Sequence, residues 1–373
     1  MDTVEILTRL IAFPSVVGTS NADIVDWIRT YLEDLGIHVA VLPGPEGDRS
    51  NLFATIGPRD VAGYILSGHM DVVPAGEPNW TSDPFTLRAE SGRLYGRGAT
   101  DMKGFLAAAL AAAPQLARAH LSRPIHLAFS YDEEAGCRGI PHLLARLKEL
   151  CAPPQGAVIG EPSRMQAVRA HKGKAAARVT IGGRAGHSSR PDLALNAIHA
   201  MSKVLNAAVD EAQELMRGPF DLAFEPSYST LQAGVIAGGS ALNIVPDNCR
   251  LDLEARAIAD VDPEELLAPI RRSAEELKRH GFSVEWTPLS VYPALSLAKD
   301  APLATLLEEI TGKVSLSAVS YGTEAGLYQA AGIDAIICGP GDIDRAHKPD
   351  EFIMETELQE CHRMIMALAM RCA

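Results

Sequence analysis

The strongest constraint on the fold is an alternation of short apolar segments, typical of buried strands, with amphipathic or small-residue segments, typical of helices. Strand patterns occupy residues 63–67, 124–131 and 156–160, and helical patterns occupy residues 105–118 and 139–150. Each of these strand patterns leads into acidic residues or a histidine. Because parallel strands joined by helices end at one edge of a sheet, this order predicts an α/β fold with its functional site at the carboxyl edge.

The pattern changes between Lys174 and about Trp286, which points to an inserted domain. The elements read there are strand 174–181, helix 194–215, strands 229–236 and 248–257, helix 263–280 and strand 282–287. This β-α-β-β-α-β order is the ferredoxin-like arrangement of a self-sufficient small domain. We therefore predict one α/β domain, residues 1–173 plus 287–373, interrupted by a second domain, residues 174–286.

Charge and composition exclude several classes of partner. The 373 residues include 34 Lys and Arg against 47 Asp and Glu, a net charge of −13 without a basic block, which disfavours binding to nucleic acid. No run of 18 apolar residues is present, so no membrane span is predicted. The amphipathic start does not resemble a secretory signal, and the six scattered cysteines form no C-x-x-C pair. We expect free thiols and a cytoplasmic location.

His69 and Asp71 follow a short apolar run and lie two residues apart. On an extended strand this spacing places both side chains on one face. A metal-binding imidazole needs an acceptor for its other N–H group, and a carboxylate two positions on can supply it. The same residues also fit a buried strand that ends in a solvated turn, because Pro74 and Gly76 follow. On these residues alone both interpretations stay open.

Further acidic and histidine positions occur at predicted strand or loop ends, namely Asp101, Glu133, Glu134, Glu161 and His347. Two adjacent glutamates can do different work, one binding a metal and the other acting as a base. Mixed histidine and carboxylate ligands without a thiolate suit zinc, cobalt or manganese. Each residue also has a structural alternative: a helix N-cap for Asp101, turns for the glutamates and a surface position for His347. The joint pattern favours the metal site.

Five motifs carry a resemblance to a known family: GHMDVVP (68–74), GRGATDMKG (96–104), DEEAG (132–136), GEP (160–162) and AHKPDE (346–351). Together they resemble the co-catalytic metallo-amidohydrolases, which include acetylornithine deacetylase, succinyl-diaminopimelate desuccinylase, aminoacylase and carboxypeptidase G. The likeness covers essentially the whole chain, and NWTSDPFTL and SYGTEAGLYQ most resemble acetylornithine deacetylases. It implies a zinc-peptidase-like catalytic domain with an inserted lid and dimerisation domain.

The resemblance also implies a ligand set for two divalent metal ions per chain, zinc or else cobalt. Asp101 would bridge the two ions. His69 and Glu161 would complete one metal position, and Glu134 and His347 would complete the other.

Three further residues receive catalytic roles from the resemblance. Asp71 would orient His69. Glu133 would take a proton from the water that attacks the amide carbonyl and pass it to the departing amine. His187, in the inserted domain, would reach across a homodimer to the oxyanion of the partner's site. Its structural alternative is a histidine in a Gly-Ser turn.

Substrate contacts are predicted for three residues. Asn243 and Arg256 match inserted-domain positions that hold a substrate carboxylate, which a guanidinium group binds with two hydrogen bonds. The alternative for Arg256 is a surface salt bridge. Glu324 lies in a Gly-rich loop, and we hypothesise that it meets the side-chain amine of ornithine.

The expected activity is hydrolysis of an N-acyl amino acid, with N2-acetyl-L-ornithine as the favoured substrate. A second reading keeps the chemistry and changes the substrate to another N-acyl amino acid or a short peptide, because few contacts decide side-chain preference. A third, from a different class, is a metal-free binding protein on the same fold.

Overall fold

The computed structural model describes residues 1–373. Its α-helices are α1 (Thr3–Ile11), α2 (Ala22–Glu33), α3 (Gly104–Arg118), α4 (Ile140–Leu150), α5 (Ala197–Leu215), α6 (Ala268–Glu276), α7 (Pro302–Thr311), α8 (Ala325–Ala330) and α9 (Glu355–Met370). Its strands are β1 (His38–Pro43), β2 (Ser50–Ile56), β3 (Tyr64–His69), β4 (Arg88–Glu90), β5 (Arg93–Tyr95), β6 (Ile125–Ser130), β7 (Gly156–Pro162), β8 (Ala170–His171), β9 (Gly173–Gly182), β10 (Gly186–His187), β11 (Thr230–Gly238), β12 (Ile244–Val245), β13 (Asn248–Ala257), β14 (Ser283–Tyr292), β15 (Leu295–Ser296), β16 (Ala335–Gly339) and β17 (Phe352–Met354).

The chain forms two compact units. The first contains Met1–Ala170, Leu295–Ala318 and Thr323–Ala373, and the second contains His171–Ala294 and Val319–Gly322. No helix in either unit is both long and apolar enough to cross a membrane.

A six-stranded mixed sheet forms the centre of the first unit, in the order β1-β2-β6-β3-β7-β16. Strand β3 pairs in parallel with both β6 and β7, and β7 pairs in parallel with β16. The carboxyl ends of these four strands therefore share one edge of the sheet. The predicted α/β fold class is confirmed.

Residues 74–98, which the sequence predicts as a long structured loop, include two short strands. Strand β5 pairs with β4 on one side and with β17 on the other, which makes a small antiparallel sheet. Strands of three residues are too short for an alternating pattern to reveal. The predicted Gly-rich turn at 321–326 likewise runs into a helix, because α8 begins at Ala325.

The second unit is built on a four-stranded antiparallel sheet in the order β11-β13-β9-β14. With α5 and α6, its elements follow the chain order β-α-β-β-α-β, as the sequence pattern indicates. The unit is wider than the predicted 174–286 because β14 continues past Trp286 to Tyr292. Proline at position 288 and a shift of register before Ser290 obscure that continuation in the sequence.

A buried histidine lies at the start of β6 in the central sheet. His126 is fully buried, its Nδ1 lies 3.0 Å from Oγ1 of Thr55, and its ring stacks on Phe53. Its Nε2 has no hydrogen-bond partner. Burial, assisted by the positive charge of Arg59, lowers the pKa of His126 to about 4.

This depressed pKa predicts a loss of stability in mild acid. Between pH 6.5 and pH 4 the unfolded chain binds a proton that the folded chain rejects, so the free energy of unfolding falls as the pH falls, by about 3 kcal/mol for this group. We expect His126→Gln to show a smaller decrease in melting temperature than the wild type between pH 7 and pH 4.5. The exposed His120→Gln is the matched control, and equal pH dependence in all three proteins would contradict the prediction.

Candidate metal centre

Four of the predicted site residues lie at or just after the carboxyl ends of three neighbouring strands. His69 is the last residue of β3, Glu133 and Glu134 follow β6 closely, and Glu161 lies near the end of β7. Nε2 of His69 lies 3.8 Å from Oε1 of Glu161. The shared sheet edge thus brings together residues that are far apart in the sequence.

Asp101 reaches the same edge because α3 packs unusually close to the sheet. A Cβ atom on Gly160 would lie 2.0 Å from Cγ of Phe105, and one on Gly68 would lie 2.7 Å from Cδ1 of Leu106. A side chain at Gly160 would displace the ring of Phe105, and one at Gly68 would displace the ends of the Leu106 and Met102 side chains. Asp101 precedes α3 in an irregular turn with φ −122° and ψ 94°, so it is no helix cap, and the structural alternative for this residue does not hold.

The carboxylate of Asp101 is shared between two histidines. Its Oδ1 lies 3.0 Å from Nε2 of His69, and its Oδ2 lies 3.2 Å from Nε2 of His347. Nε2 of His347 also lies 3.0 Å from Oε1 of Glu134. One carboxylate with a different histidine at each oxygen is the arrangement expected of a ligand that bridges two cations.

Asp71 supports this cluster through two kinds of contact. Nδ1 of His69 donates to the backbone carbonyl of Asp71 at 2.9 Å, so Nε2 is the nitrogen that faces the cluster. The carboxylate of Asp71 lies 3.6 Å from that Nδ1, and it accepts the backbone N–H groups of Glu133 and Glu134 at 3.1 Å each. The predicted orienting contact is therefore made by the carbonyl, and the carboxylate positions the two glutamates.

The electrostatics of the cluster favour added positive charge. Burial, together with neighbouring acids, raises the pKa of Glu133 to about 8 and of Glu134 to about 7, and that of Glu161 well above its ordinary value. Burial opposes ionisation of Asp101 too, but hydrogen bonds with the two histidines hold its pKa well below the usual range. The hydrogen bonds of His347 with Asp101 and Glu134 raise the pKa of His347 to about 10. Four acids so close together ionise fully only beside cations.

The donor atoms fit metal binding in spacing and in chemistry. Two sets have ligand atoms that all lie within 4.8 Å of one another: His69, Glu133 and Glu161, and His69, Asp101 and Glu134. Ligand–metal distances of about 2.0–2.2 Å place donors roughly this far apart. Imidazole nitrogen with carboxylate oxygen suits zinc and similar ions. Because Glu133 lies as close as the predicted ligands, its separate role as a base stays a prediction.

The sequence did not predict that the thiol of Cys137 contacts Glu133. The thiol of Cys137 donates to Oε1 of Glu133 at 3.3 Å. Burial raises the pKa of this thiol well above its ordinary value, so it stays protonated and remains a donor. A cysteine four residues after a glutamate carries no recognisable signal in a single sequence.

Glu324, which we hypothesise to meet the side-chain amine of ornithine, is a buried residue. It is 1% exposed, and its two carboxylate oxygens accept hydrogen bonds from the hydroxyl groups of Ser67 and Ser130. A carboxylate already bonded on both oxygens inside the core is poorly placed to receive a charged amine. This burial weighs against the hypothesis that Glu324 contacts the side chain of ornithine.

The remaining predicted residues belong to the second unit. His187 is exposed, and its Nδ1 lies 2.7 Å from Oγ of Ser189 and 3.2 Å from the backbone nitrogen of the same residue. Asn243 is also exposed. Arg256 is partly buried and bonds to the hydroxyl group of Tyr292 at 3.1 Å and to Glu254 at 3.3 Å. Their roles towards the substrate stay predictions.

The fold and this cluster define a metallohydrolase, an enzyme with a metal centre at the carboxyl edge of an α/β sheet. The chain belongs to peptidase family M20/M25/M40, whose profile matches residues 65–371. The resemblance found in the motifs is confirmed at the level of the family.

One relative by sequence and two solved structures show which members of the family this chain resembles. An acetylornithine deacetylase from Proteus mirabilis is 34% identical over 364 residues, which cover 94% of this chain and 91% of the relative. An M20 family metallo-carboxypeptidase from Sulfolobus solfataricus superposes with a TM-score of 0.81 at 19% identity, covering 99% of both chains. A dinuclear metal-binding M20 peptidase from Bacillus subtilis superposes with a TM-score of 0.67 at 16% identity, covering 98% of this chain and 96% of that one.

The position of the Asp101 carboxylate between His69 and His347 predicts how many metal ions each chain binds. We expect metal-free protein to bind two Zn²⁺ ions per chain in a calorimetric titration, and Asp101→Asn to bind both at least about 100-fold more weakly, because an amide oxygen cannot replace a bridging anion. Asp26→Asn, the same change at an exposed position on α2, is the control. Unchanged affinity in Asp101→Asn would rule out the bridging role.

Proposed function

We propose that this enzyme hydrolyses the amide bond of an N-acyl amino acid, with N2-acetyl-L-ornithine as its substrate and L-ornithine and acetate as its products. The observation that carries the proposal is the Asp101 carboxylate between His69 and His347, with Glu133 and Glu134 beside it. Similarity to acetylornithine deacetylases over more than nine tenths of the chain supports the substrate. This activity would place the enzyme in arginine biosynthesis.

The cofactor of this reaction would be two divalent cations, zinc or else cobalt. Asp101 would hold both ions, His69 and Glu161 would hold one, and Glu134 and His347 would hold the other. When bound, such ions lower the pKa of water and stabilise negative charge on the amide oxygen.

Glu133 is the proposed proton carrier. It takes a proton from the water that attacks the amide carbonyl, and it gives that proton to the nitrogen of the departing amine. The thiol of Cys137 holds one oxygen of Glu133, which leaves the other oxygen to serve the reaction. A carboxylate suits this work, because it can both accept a proton from water and release it to the amine.

Residues of the second unit would bind and stabilise the substrate. The guanidinium group of Arg256 and the amide of Asn243 would hold the substrate carboxylate. His187 of one subunit would reach across the homodimer and donate a proton to the oxyanion in the partner's site.

A second reading keeps the chemistry and replaces the substrate. Carboxypeptidases and dipeptidases share this fold at identities of 20% or less, so another N-acyl amino acid or a short peptide also fits the centre.

A substrate panel distinguishes these readings. We expect kcat/KM to be highest for N2-acetyl-L-ornithine among N-acetyl amino acids and dipeptides, and we expect turnover to disappear with a chelator and return with Zn²⁺ or Co²⁺.

Glu133→Gln should retain both metal ions and lose at least about 100-fold in kcat, since it cannot carry the proton. Preference for a dipeptide would favour the second reading, and chelator-resistant turnover would exclude the metal mechanism.

We further propose that the protein acts as a cytoplasmic homodimer joined through the second unit. Strand β11 lies at the edge of its sheet, where an unpaired strand can add to a second copy. Val235 and Ile236 on this strand are 45% and 52% exposed, so the edge offers two adjacent apolar side chains to a second copy. Six cysteines without disulfides suit a reducing compartment.

If β11 forms the dimer interface, one charged side chain on this strand should weaken the dimer. Val235→Lys should shift the protein from dimer to monomer in sedimentation velocity, because a lysine on an edge strand opposes strand addition. Val314→Lys, the same change at an exposed valine of the first unit, should leave the dimer intact. A wild-type monomer, or a Val235→Lys dimer of unchanged affinity, would refute this interface.

A further inference from the structure

Glu351 is a buried carboxylate that lies four residues after His347 and does not face the metal centre. It is 1% exposed. Its Oε1 accepts the backbone N–H groups of Thr100 at 2.9 Å and Asp101 at 3.1 Å. Its Oε2 accepts the N–H of Gly98 at 3.0 Å and Nη1 of Arg97 at 2.9 Å. One side chain thus satisfies four donors in the segment that carries Asp101.

This segment needs such an acceptor because its backbone is irregular. Asp101 and Met102 have non-helical torsion angles, and the segment belongs to no sheet. The N–H groups of Gly98, Thr100 and Asp101 bond to a side chain instead of a backbone carbonyl, and a buried donor left unpaired is costly. A carboxylate is the strongest side-chain acceptor for several N–H groups at once. Glu351 accordingly fixes the direction in which Asp101 leaves the backbone.

Arg97 extends the same network to a third segment. It is also 1% exposed, and besides Glu351 it donates to Oε1 of Glu77 at 2.7 Å and to the carbonyl groups of Pro74 at 3.2 Å and Lys348 at 3.3 Å. The loop that carries His347 is therefore tied to the segment that carries Asp101. These are two of the three residues predicted to hold the second metal position.

We propose that Glu351 is a positioning residue of the metal centre. Its carboxylate holds the Asp101 segment and the His347 loop in fixed positions relative to each other before an ion binds. The inference rests on the proposed two-metal function and deepens it. A purely structural role for the Arg97–Glu351 pair would lower stability without selectively weakening metal binding.

The test compares metal binding by Glu351→Gln and by the wild type. In the variant the amide nitrogen would face the N–H donors of Gly98 and Arg97, so the segment would lose two of its acceptor contacts. We expect Zn²⁺ to bind metal-free Glu351→Gln about 10–100-fold more weakly in a calorimetric titration. We also expect excess Zn²⁺ to restore most of its kcat, because the ligands themselves are intact.

Asp350→Asn is the matched control, because it makes the same change one residue earlier in the same loop. Asp350 bonds to Thr81 and to no residue of the Asp101 segment. We expect its zinc affinity to equal that of the wild type.

A second variant covers the case in which Glu351→Gln does not fold. Glu351→Asp keeps the charge but is too short to reach both pairs of donors, so its zinc affinity should fall by a smaller, measurable factor. Wild-type zinc affinity in whichever Glu351 variant folds would overturn the positioning role while leaving the proposed function intact. Failure of the wild type to bind zinc would instead remove the proposed function, and this inference with it.

Discussion

The parallel pairing of β3 with β6 and β7 is the constraint on which the candidate centre depends. It aligns His69 with Ser130, the residue after which the chain turns towards Glu133 and Glu134, and it sets Glu161 on the neighbouring strand. A shift of one residue in either pairing would turn the alternating side chains to the opposite face. The hydrogen bonds of the sheet thus hold ligands that no local sequence contact connects.

The resulting cluster is stable as a set of ionised groups only if cations share it. Asp101, Glu133, Glu134 and Glu161 would together carry four negative charges, which is the charge that two divalent cations neutralise. Burial without such ions shifts the pKa of three of the four acids upwards, so protons take the place of cations. Metal binding must displace those protons, which couples metal affinity to pH.

Sequence reasoning found the parts of this molecule that have a periodic or chemical signature. Strand and helix patterns located the sheet, and the polar residues at strand ends located His69, Glu161 and the two glutamates. The contacts of Asp101 depended on Gly68 and Gly160, whose packing against α3 leaves no mark in a pattern of apolar residues. The surroundings of Glu324 could not be predicted for a related reason, because only the fold shows the two serine hydroxyl groups that donate to its carboxylate.

Several buried acids of this unit that are not among the predicted metal ligands accept backbone N–H groups instead. Among the predicted metal ligands, Asp101, Glu134 and His347 lie outside the strands and α-helices, where backbone N–H groups often lack regular partners. Asp71 accepts two such groups beside the glutamates, Asp132 accepts that of Gly18, and Glu351 accepts three beside Asp101. Each contact replaces a helix or strand hydrogen bond with one from a side chain. The irregular backbone that carries Asp101 and the two glutamates is therefore stabilised by a second set of carboxylates.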